Sequence, residues 1–452
     1  MTQSILSVAA LLIGSGFLLF AGGVNALILP VRGAAEGFSS LSLGLLGTSW
    51  ACGYVLGCLF VPRLVVRVGH IRSFSVMASL AGLAILASLL FVSPFTWIGL
   101  RAISGFCFAG AAMIVEGWLG ERSDVSTRGR IFGVYTMINL FATTAGQMIL
   151  TTGDPKGHTF FVVAAMFYIL AVIPPAVTSS ASPTPLVETR VDIAALYRNS
   201  PVAVVSSFMV GIANGAFGTL AAVYAKGIGF DLTTIALFAS LPILAGAAAQ
   251  IPIGIASDRI DRRIVLTVVA LVAALADLAF IFNRPDESAV ALVAAVILGA
   301  AIFTMYPIIL AHANDHAPPA STILTSGGLL MVFGLGAIFG PLVAGFAMDF
   351  VGMHGLFMTT ATAHIAIVAH SLWRVGQRAG VPDDEKAAFM VTPLARTMTP
   401  QTAVLAQQSE LTDTETETET ETETEPESAL QSDPDDKSEP TDDEPGPNEP
   451  SR

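Results

Sequence analysis

Apolar residues are grouped along the chain into twelve long stretches, separated by short polar or charged segments. The stretches lie at 5–30, 41–66, 73–92, 95–119, 131–152, 160–177, 202–225, 233–256, 264–282, 289–311, 323–350 and 355–373. A helix needs roughly 20 mainly apolar residues to cross a bilayer, because its backbone groups must form hydrogen bonds within the same segment. The pattern therefore predicts an all-α membrane protein with twelve transmembrane helices.

Basic residues are divided unequally between the two sets of loops that connect these helices. Up to residue 400, one set and the adjoining terminal segments carry fifteen Lys and Arg residues, whereas the other set carries four, namely Arg32, Lys156, Lys226 and Arg284. Cationic residues are retained on the cytoplasmic side of a membrane protein. We therefore expect both termini to be cytoplasmic, in a multi-pass protein of the bacterial inner membrane.

The composition agrees with a chain that lies mainly in the bilayer, except near its end. Hydrophobic residues make up 53% of the chain, and the net charge of -13 arises in residues 401–452, which hold 17 acidic and 2 basic side chains. Such a segment cannot bury enough apolar surface to offset the cost of ordering. We predict a disordered acidic cytoplasmic tail over 379–452, either inert and solubilising or regulatory, and no nucleic-acid partner.

The chain contains a weak internal repeat with an offset of 192 residues. Gly37 and Phe38 align with Gly229 and Phe230, and the alignment continues without a gap until Arg67 falls on Arg259. Repeated halves are the usual construction of secondary transporters, whose binding site lies between the halves near the middle of the membrane. We predict an N-terminal six-helix bundle over 1–177, a cytoplasmic linker over 178–200 and a C-terminal six-helix bundle over 201–378.

The loop after the eighth stretch carries a recognisable motif. Residues 254–263 read Gly-Ile-Ala-Ser-Asp-Arg-Ile-Asp-Arg-Arg, which resembles the Gly-x-x-x-Asp-Arg-x-Gly-Arg-Arg signature of the major facilitator superfamily, with Asp261 in place of the last Gly. A small residue allows close helix packing, and the charged residues can form ion pairs between helices. The resemblance implies two pseudo-symmetric six-helix bundles, and it implies that Gly254, Asp258, Arg259, Arg262 and Arg263 hold the cytoplasmic side closed.

The first half contains a degraded copy of this motif. Val66 replaces the acidic residue and Pro62 replaces the leading Gly, whereas three further gate candidates are kept, namely Arg67, Gly69 and Arg72. A gate that uses the acidic residue is therefore in doubt in this half, and the two halves should not gate equivalently.

A second pattern lies between the fourth and fifth stretches. Glu121, Arg128 and Arg130 are similar to the Glu-x6-Arg element of sugar-porter members of the same superfamily. These residues either join Arg67 or Arg72 in a cytoplasmic charge cluster or form an ordinary charged loop.

Two ionisable residues lie within the fourth stretch. Arg101, with Gly105, resembles the Arg-x-x-x-Gly element of the family's fourth helix. A buried Arg is costly in hydrocarbon, so Arg101 either contacts an anionic substrate group, takes part in proton coupling or lies at the interface. Glu116 either carries a coupling proton or pairs with the cytoplasmic arginines, and Asp277 of the ninth stretch should extend towards the membrane surface.

The family's fold lines its central cavity mainly with spans 1, 4, 7 and 10, helped by 2, 5, 8 and 11. The resemblance thus makes six further polar residues candidate substrate contacts, although an interhelix hydrogen bond would explain each of them equally well: Asn25, Asn139, Gln147, Asn214, Gln250 and Tyr306. His312 and His316 have a spacing that can place two imidazoles on one metal ion, but they lie where a span leaves the membrane. We expect no metal site and no cofactor.

Together, these features predict a secondary active transporter that moves a small solute by alternating access between its two bundles. Arg101, Glu116, Arg130 and Gln147 occur in a combination that resembles the YcaD-like branch of the superfamily. A proton-coupled drug or metabolite efflux antiporter is the alternative, with H+ as the coupling ion, and a transporter-like solute sensor is a further one. We expect a monomer in the lipid bilayer without enzymatic activity, because the spans contain only scattered polar groups.

Overall fold

The structure is a computed structural model that describes residues 2–122, 128–177, 192–283, 287–318, 321–377, 380–382, 386–387, 389–393 and 395–402. Within these ranges the chain is almost entirely helical. Its helices are α1 Thr2–Ala35, α2 Ser40–Val68, α3 His70–Leu90, α4 Pro94–Arg122, α5 Arg128–Met148, α6 Thr159–Leu170, α7 Ile173–Ala176, α8 Ile193–Asn199, α9 Pro201–Gly227, α10 Leu232–Arg259, α11 Arg262–Phe282, α12 Ser288–Asn314, α13 Thr322–Val351 and α14 Gly355–Val375.

The helices account for all twelve predicted spans. Eleven of those in the described part of the chain are long and apolar enough to cross a membrane, with α6 and α7 counted as one span. The twelfth is α5, whose 21 residues are also long enough. It is less apolar because it carries Thr136, Asn139, Thr143 and Gln147.

The internal repeat appears in the turns that precede equivalent helices. Gly37 and Gly229 have φ values of 81° and 92°, a conformation that favours glycine. Two residues later, Ser39 accepts a hydrogen bond from the backbone N of Ser42, and Asp231 accepts one from the N of Thr233. Both side chains therefore cap a helix N-terminus, which confirms that α2 and α10 begin in the same way.

The helices pack into two bundles with the same internal pairing. In the first bundle α1 packs on α5, α2 on α4 and α3 on α6, and in the second α9 packs on α13, α10 on α12 and α11 on α14. Glycine allows the closest approaches: a Cβ at Gly146 of α5 would overlap the carbonyl oxygen of Phe20, and one at Gly340 of α13 would overlap that of Ile212. The fold consists of two pseudo-symmetric six-helix bundles, as the sequence predicts.

The two bundles meet at one face of the molecule, which we call the closed face. There, both carboxylate oxygens of Asp349 at the end of α13 accept hydrogen bonds from the backbone N–H groups of Ser40 and Leu41 at the start of α2. A Cβ at Gly44 would overlap the carbonyl oxygen of Pro341, so the two backbones are in direct contact. We call the other face, where α2, α4, α10 and α12 end, the basic face.

The described part of residues 386–402, which we call the C-terminal segment, lies between the bundles on the side of the basic face. It includes a short 3-10 turn, Ala395–Thr397, and several of its side chains are buried. The sequence prediction places this stretch in a tail that begins at 379, but its described residues pack against both bundles. Their composition explains the difference, because Phe389–Thr402 contains Arg396 as its only charged residue, and the acidic run begins at Glu410. The predicted tail beyond residue 402 lies outside the described residues.

Candidate functional site

A cavity lies between the two bundles, near the middle of the helices. It contains about 900 Å³ of space, part of which is open to solvent. Its polar lining includes three of the predicted contacts, Asn25, Arg101 and Gln147, together with Trp50, Tyr168 and Arg396. The structure thus brings together residues from α1, α4, α5 and the C-terminal segment.

One wall of the cavity is a hydrogen-bonded group on the first bundle. The side-chain amide nitrogen of Asn25 donates to the hydroxyl of Ser104 at 3.0 Å and lies 3.5 Å from the hydroxyl of Tyr168. The amide oxygen of Asn25 is buried without a hydrogen-bond partner among the described residues. Because a buried acceptor without a partner costs free energy, this oxygen is available to a donor group on a ligand.

The strongest electrostatic feature of the cavity is a pair of arginines around one indole ring. Arg101 Cζ lies 5.9 Å from the Trp50 ring centroid, and Arg396 Cζ lies 5.3 Å from it. Arg101 is 5% exposed, and its Nε is buried without a hydrogen-bond partner in the described structure. No Asp or Glu is among the described residues that line the cavity. The cavity therefore carries an uncompensated positive charge.

Glu116 lies deeper in the first bundle, outside the lining of the cavity. It is 1% exposed, and its carboxylate accepts a hydrogen bond from the Tyr135 hydroxyl at 2.8 Å and another from the Thr399 hydroxyl. Of the two alternatives that the sequence leaves open, the geometry disagrees with a pairing to the basic-face arginines, because both of these partners are hydroxyl groups. Thr399 belongs to the C-terminal segment, which ties that segment to α4.

Asn139 and Gln250 line a smaller pocket nearer the basic face. The Gln250 side chain forms two hydrogen bonds with the backbone of Thr392, donating to its carbonyl oxygen at 3.2 Å and accepting from its N–H at 2.9 Å. The C-terminal segment is therefore held by α10 as well as by α4. Both polar residues lie beside this segment and outside the lining of the central cavity.

Two predicted cavity contacts lie within the second bundle instead. Asn214 of α9 is buried, and its amide oxygen has no hydrogen-bond partner in the described part of the chain. Tyr306 of α12 packs edge-on against Phe333, with ring centroids 5.3 Å apart. Neither residue is among those that line the cavity.

The motif of residues 254–263 forms an ion-pair cluster at the basic face. Arg262 Nε lies 2.7 Å from an Asp315 oxygen on α12, and its Nη1 lies 3.1 Å from an Asp258 oxygen on α10. Arg263 pairs with Asp261 at 2.6 Å. Burial acts to raise the pKa of Asp261, but hydrogen bonds from Arg263 outweigh that effect and hold the pKa below its ordinary value. These pairs join helices of one bundle and do not connect the two bundles.

The same cluster holds the start of the C-terminal segment. Asp315 accepts a hydrogen bond from the backbone N of Ala387 at 2.9 Å, and Arg262 donates to the carbonyl oxygen of Ala387. Gly254 is a close-packing position, as the motif predicts, but its neighbour is the Phe389 ring of the segment. Asp315 is a functional residue that was not predicted from the sequence; the signal that could have found it is its position just beyond the end of the tenth apolar stretch.

The gate candidates of the first half lie on the surface of the basic face. Arg67, Arg72, Glu121 and Arg130 are exposed, as is Arg259 of the second half. Gly69 has a φ of 87° and ends α2, which explains why glycine stands there. The backbone of Arg128 begins α5, and its side chain lies outside the described residues.

Asp277 is buried, contrary to the prediction from the sequence. The prediction that it extends towards the membrane surface is wrong, because it is 0% exposed between α11 and α14. Its carboxylate contacts His364 Nδ1 at 2.7 Å and accepts a hydrogen bond from Thr360 at 2.8 Å. A buried carboxylate needs such partners, and both of them lie on the last helix, 83 and 87 residues further along the chain.

The histidine pair at the end of α12 contacts itself. His316 Nδ1 lies 3.0 Å from the backbone oxygen of His312, and the ring centroids are 4.7 Å apart. In the described ranges, no group of three or more His, Cys, Asp or Glu residues is arranged to hold a metal ion.

Comparison with known families gives one match that covers most of the chain. The model of the Major Facilitator Superfamily matches residues 11–320 and 203–410. An uncharacterized MFS-type transporter of Yersinia enterocolitica is 25% identical over 383 residues, which cover 84% of this chain and 97% of that protein. The uncharacterized MFS-type transporter YcaD of Salmonella typhi is 25% identical over 373 residues, which cover 82% of this chain and 96% of that protein.

Solved transporters have the same arrangement of helices. The nucleoside transporter NupG superposes with a TM-score of 0.69 at 12% identity, covering 81% of this chain and 98% of that one. A bacterial homologue of the human lysosomal transporter Spinster, in an inward-facing and occupied conformation, gives 0.68 at 14% identity, covering 84% and 97%. At these identities the likeness shows the fold alone.

Proposed function

The chain belongs to the Major Facilitator Superfamily, and from that membership we propose that it is a secondary active transporter that moves a small solute by alternating access to its central cavity. One observation carries the proposal. The cavity lies between two bundles with equivalent internal pairing, and the contacts between the bundles include the hydrogen bonds of Asp349 at the closed face. A rocking motion about this site would expose it to each side of the membrane in turn.

We infer the orientation of the fold in the membrane from the basic residues. We take the basic face as cytoplasmic, because it carries the larger share of the Lys and Arg residues outside the spans. In this orientation the structure corresponds to an inward-facing arrangement of the bundles, with the C-terminal segment in the cytoplasmic opening. A monomer in the inner membrane of a bacterium fits this reading.

The substrate contacts that the geometry supports best are Asn25, Arg101 and Gln147. They come from three helices of the first bundle, and all three line the central cavity. Gln147 also accepts a hydrogen bond from Ser240 of the second bundle at 2.9 Å. Because this bond joins the two bundles, a ligand that binds Gln147 in place of Ser240 would weaken the contact between the bundles.

Proton coupling has one candidate carrier. Glu116 is buried and hydrogen-bonded to two hydroxyl groups, and no arginine is among its partners in the described structure. A carboxylate that is buried without a cation is poised to exchange a proton when its surroundings change. This supports coupled transport, including the alternative of a proton-coupled antiporter, with Glu116 as the titrating group.

Uptake into proteoliposomes tests the proposal. Radiolabelled nucleosides and D-xylose, which the names of structural neighbours mention, are the first solutes, followed by organic anions, each with and without a proton gradient. We expect gradient-driven uptake of at least one solute, a strong loss in Arg101→Ala, and loss of the gradient dependence in Glu116→Gln. Arg198→Ala, on the exposed surface of α8, is the matched control. Gradient-driven uptake that is unchanged in Glu116→Gln would exclude that residue as the carrier.

A further inference from the structure

Arg396 enters the central cavity from outside the twelve spans. It lies on the 3-10 turn Ala395–Thr397, and its Nη1 donates a hydrogen bond to the carbonyl oxygen of Gly218 on α9 at 2.8 Å. Its guanidinium also lies over the Trp50 ring of α2. The side chain therefore contacts both bundles while it lines the cavity.

Arg101 approaches the same ring from α4. The two guanidinium groups are close enough to repel each other, and no acidic side chain lines the cavity among the described residues. Arg101 Nε is buried and lacks a hydrogen-bond partner in the described structure. Two like charges in a region of low dielectric are costly unless an anion joins them.

Much of the rest of the lining is apolar and partly aromatic. Phe108, Phe217 and Phe303 face the cavity together with Trp50. Rings of this kind favour a ligand with a flat apolar body, whereas a small inorganic anion would leave this surface uncovered. The two arginines therefore indicate an anionic group on the ligand, and the aromatic lining indicates that this group is attached to a flat apolar body.

We propose that the cavity binds an organic anion whose carboxylate or phosphate group bridges Arg101 and Arg396 above Trp50, so that the C-terminal segment supplies part of the substrate site. The inference rests on the proposed transport function for its biological meaning, but it concerns recognition alone. A bridging oxyanion would supply acceptors for both guanidinium groups, including the unpartnered Nε of Arg101. Arg396 is then a specificity-determining residue that the twelve spans do not contain.

Equilibrium binding to the full-length protein in detergent tests the proposal without any gradient. The probes are benzoate and phenyl phosphate, with neutral benzamide and cationic benzylamine as matched controls of similar shape. We expect both anions to bind and to be displaced by each other, whereas benzamide and benzylamine bind at least about tenfold more weakly, since a charge-assisted hydrogen bond contributes that much or more.

Variants then assign the binding to the arginine pair. Arg101→Gln and Arg396→Gln should each weaken anion binding by about 10–100-fold, and Arg396→Lys should restore part of the affinity that Arg396→Gln loses. Arg198→Gln, on the exposed surface of α8, should bind like the wild type. The thermal unfolding temperature of each variant without ligand shows whether it is folded, and Arg396→Lys provides the comparison if Arg396→Gln unfolds.

The outcomes separate this inference from the proposed function. Absence of anion binding to the wild type, equal binding of benzoate and benzamide, or unchanged affinity in Arg396→Gln would overturn the anion site, even if the protein transports a neutral solute. Anion binding that depends on both arginines supports the site, even if no solute is moved into proteoliposomes, in which case the transport proposal alone fails.

Discussion

Fixing the C-terminal segment to the second bundle should stop transport. The perturbation is the pair Gln250→Cys and Thr392→Cys, in a chain whose three native cysteines are replaced by Ala or Ser. Gln250 and Thr392 are joined by two hydrogen bonds through the full length of the Gln250 side chain, so the two introduced thiols are linked with a short bifunctional thiol reagent whose disulfide bonds a reductant can cleave. The link would hold the segment where it fills the opening at the basic face.

The structure sets the distance that the segment has to move. Gln250 lies nine residues before the end of α10, and Glu116 lies six residues before the end of α4. At 1.5 Å of rise per residue, these contacts are about 14 Å and about 9 Å inside the basic face. If the bundles close at this face, the segment must withdraw by roughly 10 Å or more.

The energy of the docked segment is compatible with such movement. Five hydrogen bonds join its inner residues Thr392, Arg396, Met398 and Thr399 to the helices, whereas Lys386 and Ala387 are held separately at the basic face. At about 0.5–1.5 kcal/mol each, they contribute a few kcal/mol, which the conformational entropy of an ordered segment largely offsets. The segment can therefore leave its seat, whereas a covalent link removes that freedom.

The assay compares uptake by the cross-linked and the reduced double variant in proteoliposomes. We expect uptake to fall at least about tenfold on cross-linking and to return with a reductant, because the linked protein cannot reach the second state of the cycle. Each single cysteine variant should be insensitive to the reagent. Full uptake by a protein whose cross-link is verified by peptide mapping would instead show that the bundles alternate around a stationary segment.

Three further predictions concern packing and charge. Asp277→Ala leaves His364 and Thr360 without their shared acceptor. It should lower the free energy of unfolding by about 1–4 kcal/mol, as measured by denaturation in mixed micelles. Asp258→Ala should have a smaller effect, because the Asp258 side chain is 43% exposed. Gly340→Ala places a Cβ against the carbonyl oxygen of Ile212 and should destabilise the fold by about 1–3 kcal/mol. Gly99→Ala should not destabilise it, because a Cβ at Gly99 meets nothing within 4 Å. Equal stabilities of the two variants would contradict the close approach of α9 and α13. Asp315→Asn weakens the ion pair with Arg262 and the hydrogen bond from the backbone N of Ala387. Trypsin should therefore cleave after Arg396 faster than in the wild type. An unchanged cleavage rate would show that Asp315 is not needed to hold the C-terminal segment.

The helices and their repeat were accessible from the sequence because they depend on local chemistry. Each span is determined by a run of apolar residues. The equivalence of α2 and α10 is visible in Gly37 and Gly229, because both turns have a positive φ at this position, which favours glycine. Arg101 could also be predicted to face a cavity, since a charge in hydrocarbon requires a polar environment. In each case, a few neighbouring residues contain the relevant information.

Long-range contacts were not accessible in this way. Asp277 and His364 lie on helices that are brought together by the fold, and neither stretch shows what faces it. Arg396 belongs to a stretch that is too short to span a membrane and that precedes an acidic run, so its composition suggested a tail. Its place beside Trp50 depends on the opening between two assembled bundles, which no single stretch of sequence specifies.

The position of the C-terminal segment has a consequence for the order of biogenesis. Its contacts come from α2, α4, α9 and α10 and from Arg262 and Asp315 at the basic face, so no part of the chain shorter than both bundles offers all of them. The segment also leaves the ribosome after every span has been synthesised. Its docking is therefore the last step of assembly, and trypsin resistance at Arg396 would report that both halves are inserted and correctly joined. A reporter fused to the C-terminus would be attached close to the C-terminal segment and could interfere with this docking.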